Sequence, residues 1–249
     1  MTDGMIQFSP PMVRALIAGR KTQTRRVLKP TTKQVKAWAP NLSVCRSAQA
    51  SGGVVQFEHP EGGPYTCVPL PWRVGDRLWV RELWRTFVSL DDVAPRDLLT
   101  SERGAGIAYE AGGGMSRPKL PLRVCYTDYA LDQARAPVGA WGRLRAAMHL
   151  PRWGSRITVV VTDVRVQRLQ EISEADCDAE GISQSPLGYG IARAKIEGKM
   201  HYGLSAYGLY RDLWNSLHGP DAWAKNPFVA AISFRVILAN IDAPEAKAA

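Results

Sequence analysis

The sequence contains neither closely spaced cysteines nor a long apolar run. Its four cysteines, Cys45, Cys67, Cys125 and Cys177, are scattered through 249 residues without a CxxC pair, which argues against a zinc knuckle and a dense disulfide framework. No window approaches the roughly 18 apolar residues of a transmembrane helix, and the N-terminal segment MTDGMIQFSPPM has neither the basic nor the apolar region of a signal peptide. We therefore expect a cytoplasmic protein that does not bind a membrane.

Histidines and clustered acids are also scarce. The four histidines are dispersed, so no histidine pair supports a metal-free ribonuclease, and no acidic cluster suggests a two-metal nuclease. A metal site that combines Cys45, His59 and Cys67 is disfavoured against two buried thiols and a loop imidazole. We predict that the protein needs no metal and no cofactor.

Positive charge is abundant. The chain has 32 lysines and arginines against 23 acidic residues, a net charge of +9, which favours an anionic partner or substrate, although RNA, DNA and a nucleotide all remain open. The densest cluster lies in ALIAGRKTQTRRV, residues 15–27, where two threonines, Thr22 and Thr24, sit among cations without any acid. The cations of this cluster are Arg20, Lys21, Arg25, Arg26 and, just beyond, Lys29.

The local patterns predict an α+β fold with short strands and few helices. Strand-like segments interrupted by two or three helices are typical of a small, mostly antiparallel barrel. The predicted elements are a helix that begins after Ser9 and ends at Gly19, a strand within 75–84, a long strand over 156–169, a short helix between Ser173 and Gly181, an amphipathic helix over 206–217 and the closing strand FVAAISFRVIL.

Four motifs in a fixed order resemble the ASCH domain of the PUA-like superfamily. They are AGRKTQTRRV, GDRLWVRELW, LQEISEADCDAEGI and a C-terminal FRVI strand. Longer stretches around them, about half of the chain, resemble ASCH proteins of phages and prophages. The resemblance implies one domain over residues 1–249, a PUA-like barrel with flanking helices and insertions at about 30–70 and 85–150. Residues 240–249 are predicted to be a disordered tail.

The ASCH family includes RNA-associated modules, ribonucleases and a bacterial subgroup of amidohydrolases that remove the acyl group from N4-acetylcytidine. In that subgroup a GRKTxTxR stretch supplies a lysine and a threonine that match Lys21 and Thr24, and a glutamate in the short helix matches Glu180. The resemblance implies that Thr24 is the nucleophile, Lys21 the base and Glu180 the proton shuttle.

Amide hydrolysis requires a nucleophile, a base and an acid, and these three residue types can supply them. A lysine of ordinary pKa, about 10.4, must be lowered by roughly three units to act as a base near neutral pH. Partial burial and the like charges of Arg20, Arg25 and Arg26 would lower it. Lys21 must also lie in the turn after Gly19, because Lys21 and Thr24 would face opposite sides of a single strand.

Further residues are candidates for binding substrate or phosphate. Each has a structural alternative: the cations could form a solvated face that contacts a nucleic-acid backbone, Glu180 could be an ordinary surface residue, and Trp153 could pack in the core. The expected partner is a modified nucleoside or a single-stranded nucleic acid, and the alternative function is RNA binding with or without ribonuclease activity. No pattern specifies an oligomeric state. The candidate binding residues are Arg20, Arg25, Arg26, Glu82, Arg152 and Trp153.

Overall fold

The structure is a computed structural model of the 249-residue chain. It describes residues 2–29, 42, 45–58, 66–98, 105–112, 114–117, 123–125, 141–182, 192–196, 199–203 and 205–247.

The chain has a mixed α+β fold whose sheets are mostly antiparallel, as predicted. Within the described residues the strand orders are β1-β6-β11-β14-β2, β10-β9-β8-β7, β3-β4-β5 and β12-β13, and the pair β1·β6 is parallel. The strands are β1 (Asp3–Gln7), β2 (Gln23–Val27), β3 (Ala48–Ser51), β4 (Val54–Phe57), β5 (Thr66–Pro69), β6 (Arg77–Arg81), β7 (Trp84–Arg85), β8 (Ala105–Tyr109), β9 (Gly114–Arg117), β10 (Arg123–Cys125), β11 (Thr158–Arg168), β12 (Ala192–Ile196), β13 (Lys199–Gly203) and β14 (Phe228–Ile237). The α-helices are α1 (Pro10–Ile17), α2 (Glu174–Ala179), α3 (Ala206–His218) and α4 (Pro244–Lys247).

The first helix has the predicted bounds, with one difference at its start. Ser9 is the N-cap residue, but its side chain makes no capping hydrogen bond. Its carbonyl accepts from Val13 N at 2.9 Å, and a proline at the helix start supplies a backbone torsion suited to the first turn. The helix ends before Gly19, whose φ of 69° lies in the left-handed region that favours glycine.

The chain divides into two compact units, each built from segments that are distant in sequence. The first unit consists mainly of Arg20–Asp76 and Val161–Arg235, and the second of Thr2–Gly19, Arg77–Val160 and Val236–Ala249. Strands β11 and β14 therefore contribute residues to both units. The organisation as one domain with two insertions stays a prediction.

The first unit pairs β2 with β14 and packs α2 and α3 around one apolar cluster. The antiparallel register places Thr24 opposite Ile232 and Arg26 opposite Ala230. Aromatic and aliphatic side chains of α3 enter the core because Leu209, Tyr210 and Trp214 recur at helical spacing. The buried members of this cluster are Leu169, Ile172, Cys177, Ile182, Ala206, Leu209, Tyr210, Trp214, Ala222, Trp223 and Val229.

The second unit contains α1, β1, β6, the start of β11 and the sheet β7–β10. Its apolar cluster includes Trp84, Ile107 and Tyr109, and the Tyr109 hydroxyl donates to the carbonyl of Gly154 at 2.6 Å.

The C-terminal segment, for which the sequence predicts a disordered tail, is described as far as residue 247. Ile241 and Ala246 are buried, and the Asn240 side-chain amide donates to the carbonyl of Ser155 at 2.7 Å. These contacts hold the segment up to α4 within the second unit, because they tie it to the loop before β11.

Candidate active site

The basic segment enters the first unit through a short stretch between Gly19 and β2. Lys21 lies before the first residue of β2, Gln23, which confirms that it precedes the strand. The stretch is fixed on two sides, since Thr22 N donates to the carbonyl of Ala179 and Phe234 N donates to the carbonyl of Thr22, both at 2.8 Å. Lys21 is thus held beside the end of α2.

Lys21 and Glu180 form a buried ion pair. Lys21 is fully buried and Glu180 is 5% exposed. The Lys21 ammonium donates to Glu180 Oε2 at 2.6 Å and to the Glu180 carbonyl at 2.9 Å. Glu180 is the C-cap residue of α2, and Gly181 ends the helix with a φ of 92°, so the predicted cap places the carboxylate. The structure brings these two predicted residues together.

The second oxygen of Glu180 has its own partners. The Tyr210 hydroxyl donates to Glu180 Oε1 at 3.2 Å, and Arg25 Nη1 lies 3.5 Å from the same oxygen. Tyr210 comes from the core-facing side of α3 and is 3% exposed. Elements on both sides of Glu180 therefore hold its carboxylate.

Asp176 accepts hydrogen bonds from three other polar side chains of the site. It accepts from Arg25 at 2.9 Å, Gln23 at 3.0 Å and Arg165 at 2.8 Å. Burial raises the pKa of Asp176, but hydrogen bonds from Arg165 and Gln23 and the charges of Arg25 and Arg165 outweigh it and lower the pKa to about 2. Asp176 stays ionised near neutral pH and neutralises one buried arginine.

Burial lowers the pKa of Lys21. The charge and hydrogen bond of Glu180 oppose this effect, and the charges of Arg26 and Arg25 add to it. The direction is the predicted one, and of the two predicted causes, burial and like charge, burial is the larger. Full desolvation outweighs the neighbouring arginines, because an ammonium group loses its hydration when it is buried.

Thr24 and Arg26 lie on β2 after Lys21. Thr24 is 4% exposed, so it belongs to the buried part of the segment. Arg26 is half-buried, and burial lowers its pKa while the charges of Glu180 and Tyr210 raise it. Arg26 is therefore within electrostatic range of the Lys21–Glu180 pair.

The other cations of the segment have separate roles. The Arg25 side chain is fully buried and forms an ion pair with Asp176, and its assignment as a substrate- or phosphate-binding residue stays a prediction. Arg20 is exposed and donates a long hydrogen bond of 3.4 Å to the Gly181 carbonyl. The predicted basic cluster is thus a buried, acid-paired interior with an exposed cationic edge.

Three predicted binding residues lie in the second unit, and each of them contacts other residues of the protein. Glu82 is 1% exposed and accepts two hydrogen bonds from Arg156, at 3.0 and 2.9 Å. Arg152 donates to Asp3 at 2.6 Å and to Asp242 at 2.8 Å, which uses its guanidinium in ion pairs. Trp153 packs against the apolar cluster that contains Trp84. Glu82, Arg152 and Trp153 thus make protein contacts in the second unit, and their role in binding substrate stays a prediction.

Possible metal ligands do not gather in the part of the chain that the structure describes. No group of three or more histidine, cysteine, aspartate or glutamate residues there could hold a metal ion. Cys45 is buried and Cys67 is exposed, whereas His59 lies outside the described residues.

No family model, curated protein or solved structure matches the chain. Among the described helices, none has both the length and the apolar character needed to cross a membrane.

Sequence reasoning missed Tyr210, Asp176 as an arginine partner, and Gln23. The apolar spacing over 206–217 predicts an amphipathic helix, but it does not show which group the Tyr210 hydroxyl contacts. A buried tyrosine usually finds a hydrogen-bond partner. That rule could have pointed to a polar group under α3.

Proposed function

We propose that this protein is an amidohydrolase that cleaves the exocyclic amide of a modified nucleoside of the N4-acylcytidine type. The observation that carries the proposal is the fully buried Lys21, 2.6 Å from Glu180. Thr24 supplies a hydroxyl three positions along the chain, and the same three residues match the amidohydrolase pattern. The ASCH assignment and its PUA-like barrel belong to this proposal.

Acyl transfer through Thr24 needs only Lys21, Glu180 and one water molecule to account for every proton and bond. The Thr24 hydroxyl gives its proton to neutral Lys21 as its oxygen bonds to the acyl carbon. The carbon–nitrogen bond then breaks, and the cytosine amine leaves with a proton from the Lys21–Glu180 pair. Water attacks the resulting ester, releases the carboxylic acid and restores the Thr24 hydroxyl. The cytosine nucleoside and a carboxylic acid are the products.

The short contact explains how a neutral lysine can arise beside a carboxylate. Lowering a lysine pKa by three units costs about 4 kcal/mol, and the Glu180 charge opposes that change. Moving the shared proton from Lys21 to Glu180 leaves both groups neutral without altering the net charge of the buried cluster. The lysine then has a lone pair, and Glu180 holds the proton that the leaving amine needs.

The test is turnover of N4-acetylcytidine by the purified protein, with the products separated chromatographically. Lys21→Arg should lose nearly all activity, since arginine keeps the charge but does not act as a base at ordinary pH. Thr24→Ala should lose nearly all turnover while substrate affinity remains, and Thr24→Ser should keep part of it.

The exposed Lys225 offers a matched control, because Lys225→Arg makes the same chemical change outside the site and should be fully active. Circular dichroism checks that each variant is folded. An active Lys21→Arg enzyme would contradict the base assignment, and no turnover by the wild-type protein would contradict the proposed activity on this substrate.

A second candidate is a single-stranded nucleic-acid-binding module, with or without ribonuclease activity. It is favoured by the exposed side chains of Arg20, Thr22 and Lys29 and by the net charge of +9. In this function the exposed cations contact phosphates and the buried Lys21–Glu180 pair is structural. Lys21→Arg would then bind RNA almost normally.

A further inference from the structure

Glu180 has a further contact, with Tyr210, that neither the sequence motif nor the catalytic scheme uses. Its Oε2 faces Lys21 at 2.6 Å, while its Oε1 accepts from the Tyr210 hydroxyl at 3.2 Å. Tyr210 belongs to α3, and Glu180 caps α2. Two hydrogen bonds from different elements thus act on opposite oxygens of one carboxylate.

The Tyr210 ring is fixed by aromatic neighbours. Its centroid lies 6.2 Å from that of Trp214 and 6.2 Å from that of Trp223, and the Arg25 guanidinium lies 5.9 Å from the ring centre. With 3% of Tyr210 exposed, the hydroxyl has little freedom to turn away from Glu180. Burial raises the pKa of Tyr210, as does the charge of Glu180, so the phenol keeps its proton and remains a donor at physiological pH.

We infer that Tyr210 is a positioning residue of the proposed amidohydrolase: its hydroxyl holds Glu180 Oε1 so that Oε2 stays aligned with Lys21 for transfer of the shared proton. This inference rests on the proposed function for its catalytic consequence. The carboxylate cannot rotate freely, because each of its oxygens accepts a hydrogen bond from a different side. Proton transfer between Lys21 and Glu180 requires that their hydrogen bond keep its distance and direction. The hydroxyl also stabilises the ionised carboxylate, since a hydrogen bond to the charged form favours that form.

Three cations act on the same carboxylate: Lys21 from the stretch before β2, and Arg25 and Arg26 from β2. The neutral thiol of Cys177 in α2 also lies within electrostatic range of it. Tyr210 can be altered without changing the charge of any of them. Its removal therefore changes one hydrogen bond while the formal charges stay constant.

The experiment compares Tyr210→Phe with the wild-type protein in the pH dependence of kcat and KM on N4-acetylcytidine. Loss of the hydroxyl should lower kcat, leave KM nearly unchanged and move the acid limb of the kcat profile to higher pH, because the ionised carboxylate loses a hydrogen-bond donor. Tyr207→Phe is the matched control on the same helix. Tyr207 packs edge-on against Trp223, and its variant should keep the wild-type profile.

A measurement without turnover separates this inference from the proposed function. Urea unfolding of Tyr210→Phe, Glu180→Met and the double variant forms a mutant cycle. Tyr210→Phe should lower the urea midpoint clearly in the wild-type background and much less when Glu180 is already replaced. Additive shifts in the cycle, or a Tyr210→Phe enzyme with an unchanged acid limb and kcat, would overturn the inference. Wild-type protein without turnover would remove the proposed function, while the cycle still reports whether Tyr210 holds Glu180.

If Tyr210→Phe does not fold, 3-fluorotyrosine at position 210 provides a second variant. Fluorination makes the phenol more acidic and a stronger donor, so the acid limb should move to lower pH. An unchanged limb in that protein would also overturn the inference.

Discussion

At the scale of single residues, the site consists of buried cations that are paired with carboxylates. Lys21 and Arg25 are matched by Glu180 and Asp176 through contacts of 2.6 and 2.9 Å. Such pairs are costly to desolvate, and well-packed apolar residues would often be as stable or more so. A fold that keeps the pair in its interior holds two groups that can exchange a proton, 2.6 Å apart and shielded from water. This is the physical reason to assign the pair a function.

Removing one side of the pair should be costly, and removing both sides should cost less than the sum of the two single losses. Lys21→Met leaves the Glu180 carboxylate buried without its closest cation, and we expect a loss of about 3–5 kcal/mol in the free energy of unfolding. In the double variant Lys21→Met with Glu180→Met, the loss should be smaller than the sum of the single losses, because no uncompensated carboxylate remains.

Urea unfolding measures all three proteins. Lys225→Met removes an exposed lysine and should change stability by at most about 0.5 kcal/mol. Strictly additive losses for Lys21 and Glu180 would show that the two side chains do not stabilise each other.

At the scale of elements, the sequence predicted the bounds of helices and strands better than it predicted contacts between residues that are distant in sequence. The bounds of β11, α2 and α3 follow from β-branched alternation, a serine cap and helical apolar spacing, which act within a few residues. The turn between α1 and Lys21 was likewise indicated by Gly19. Arg152 could not be assigned in this way, because its partners Asp3 and Asp242 are 149 and 90 residues away in sequence.

The candidate site shows the same division between local and distant information. The motif identifies Lys21, Thr24 and Glu180 as candidates. It does not show that Lys21 is fully buried, or that Tyr210, 30 residues from Glu180 in sequence, donates to the Glu180 carboxylate. Burial and pairing depend on how α2, α3 and β2 pack. The sequence therefore predicted that burial and the arginine charges lower the pKa of Lys21, but it could not show that burial is the larger of the two causes.

The N-terminal cap of α2 should be worth more than that of α1. The Ser173 side chain accepts from Asp176 N at 3.1 Å, whereas Ser9 makes no side-chain capping bond. Ser173→Ala should therefore cost about 1 kcal/mol of stability, and Ser9→Ala only a few tenths. Because α2 also carries Asp176 and Glu180, Ser173→Ala should reduce turnover as well.

Chemical unfolding and turnover of N4-acetylcytidine test both cap variants. Equal losses of stability for Ser173→Ala and Ser9→Ala would contradict the assigned difference between the caps.

At the scale of the whole molecule, the net charge is +9, but only cations that are exposed to solvent can contact the phosphates of a nucleic acid. Lys21 and the Arg25 side chain are fully buried and paired with acids, so they cannot release counterions from a nucleic acid. Arg20 and Lys29 are exposed at either end of the same segment. Any electrostatic binding of single-stranded RNA by this segment should therefore depend on the exposed residues and not on the catalytic lysine.

This difference predicts how RNA affinity changes with salt. Each phosphate contact on a single strand contributes about −0.7 to the slope of log K against log salt. Replacing both Arg20 and Lys29 by Gln should make the slope less steep by about 1.4 if each contacts one phosphate, whereas Lys21→Arg should leave it unchanged. The measurement is fluorescence anisotropy of a labelled single-stranded RNA over a series of salt concentrations.

A matched pair in the second unit shows whether the effect is local. Arg96 and Lys247 are exposed there, so replacing both by Gln removes the same total charge from the protein. If RNA contacts the segment around Lys21, this pair should leave the slope nearly intact, because phosphates close to Arg20 and Lys29 release counterions only on contact with those residues. Equal changes for the two pairs would instead mean that RNA binds diffusely to a positive protein, and a steep change for Lys21→Arg would contradict the buried position of that lysine.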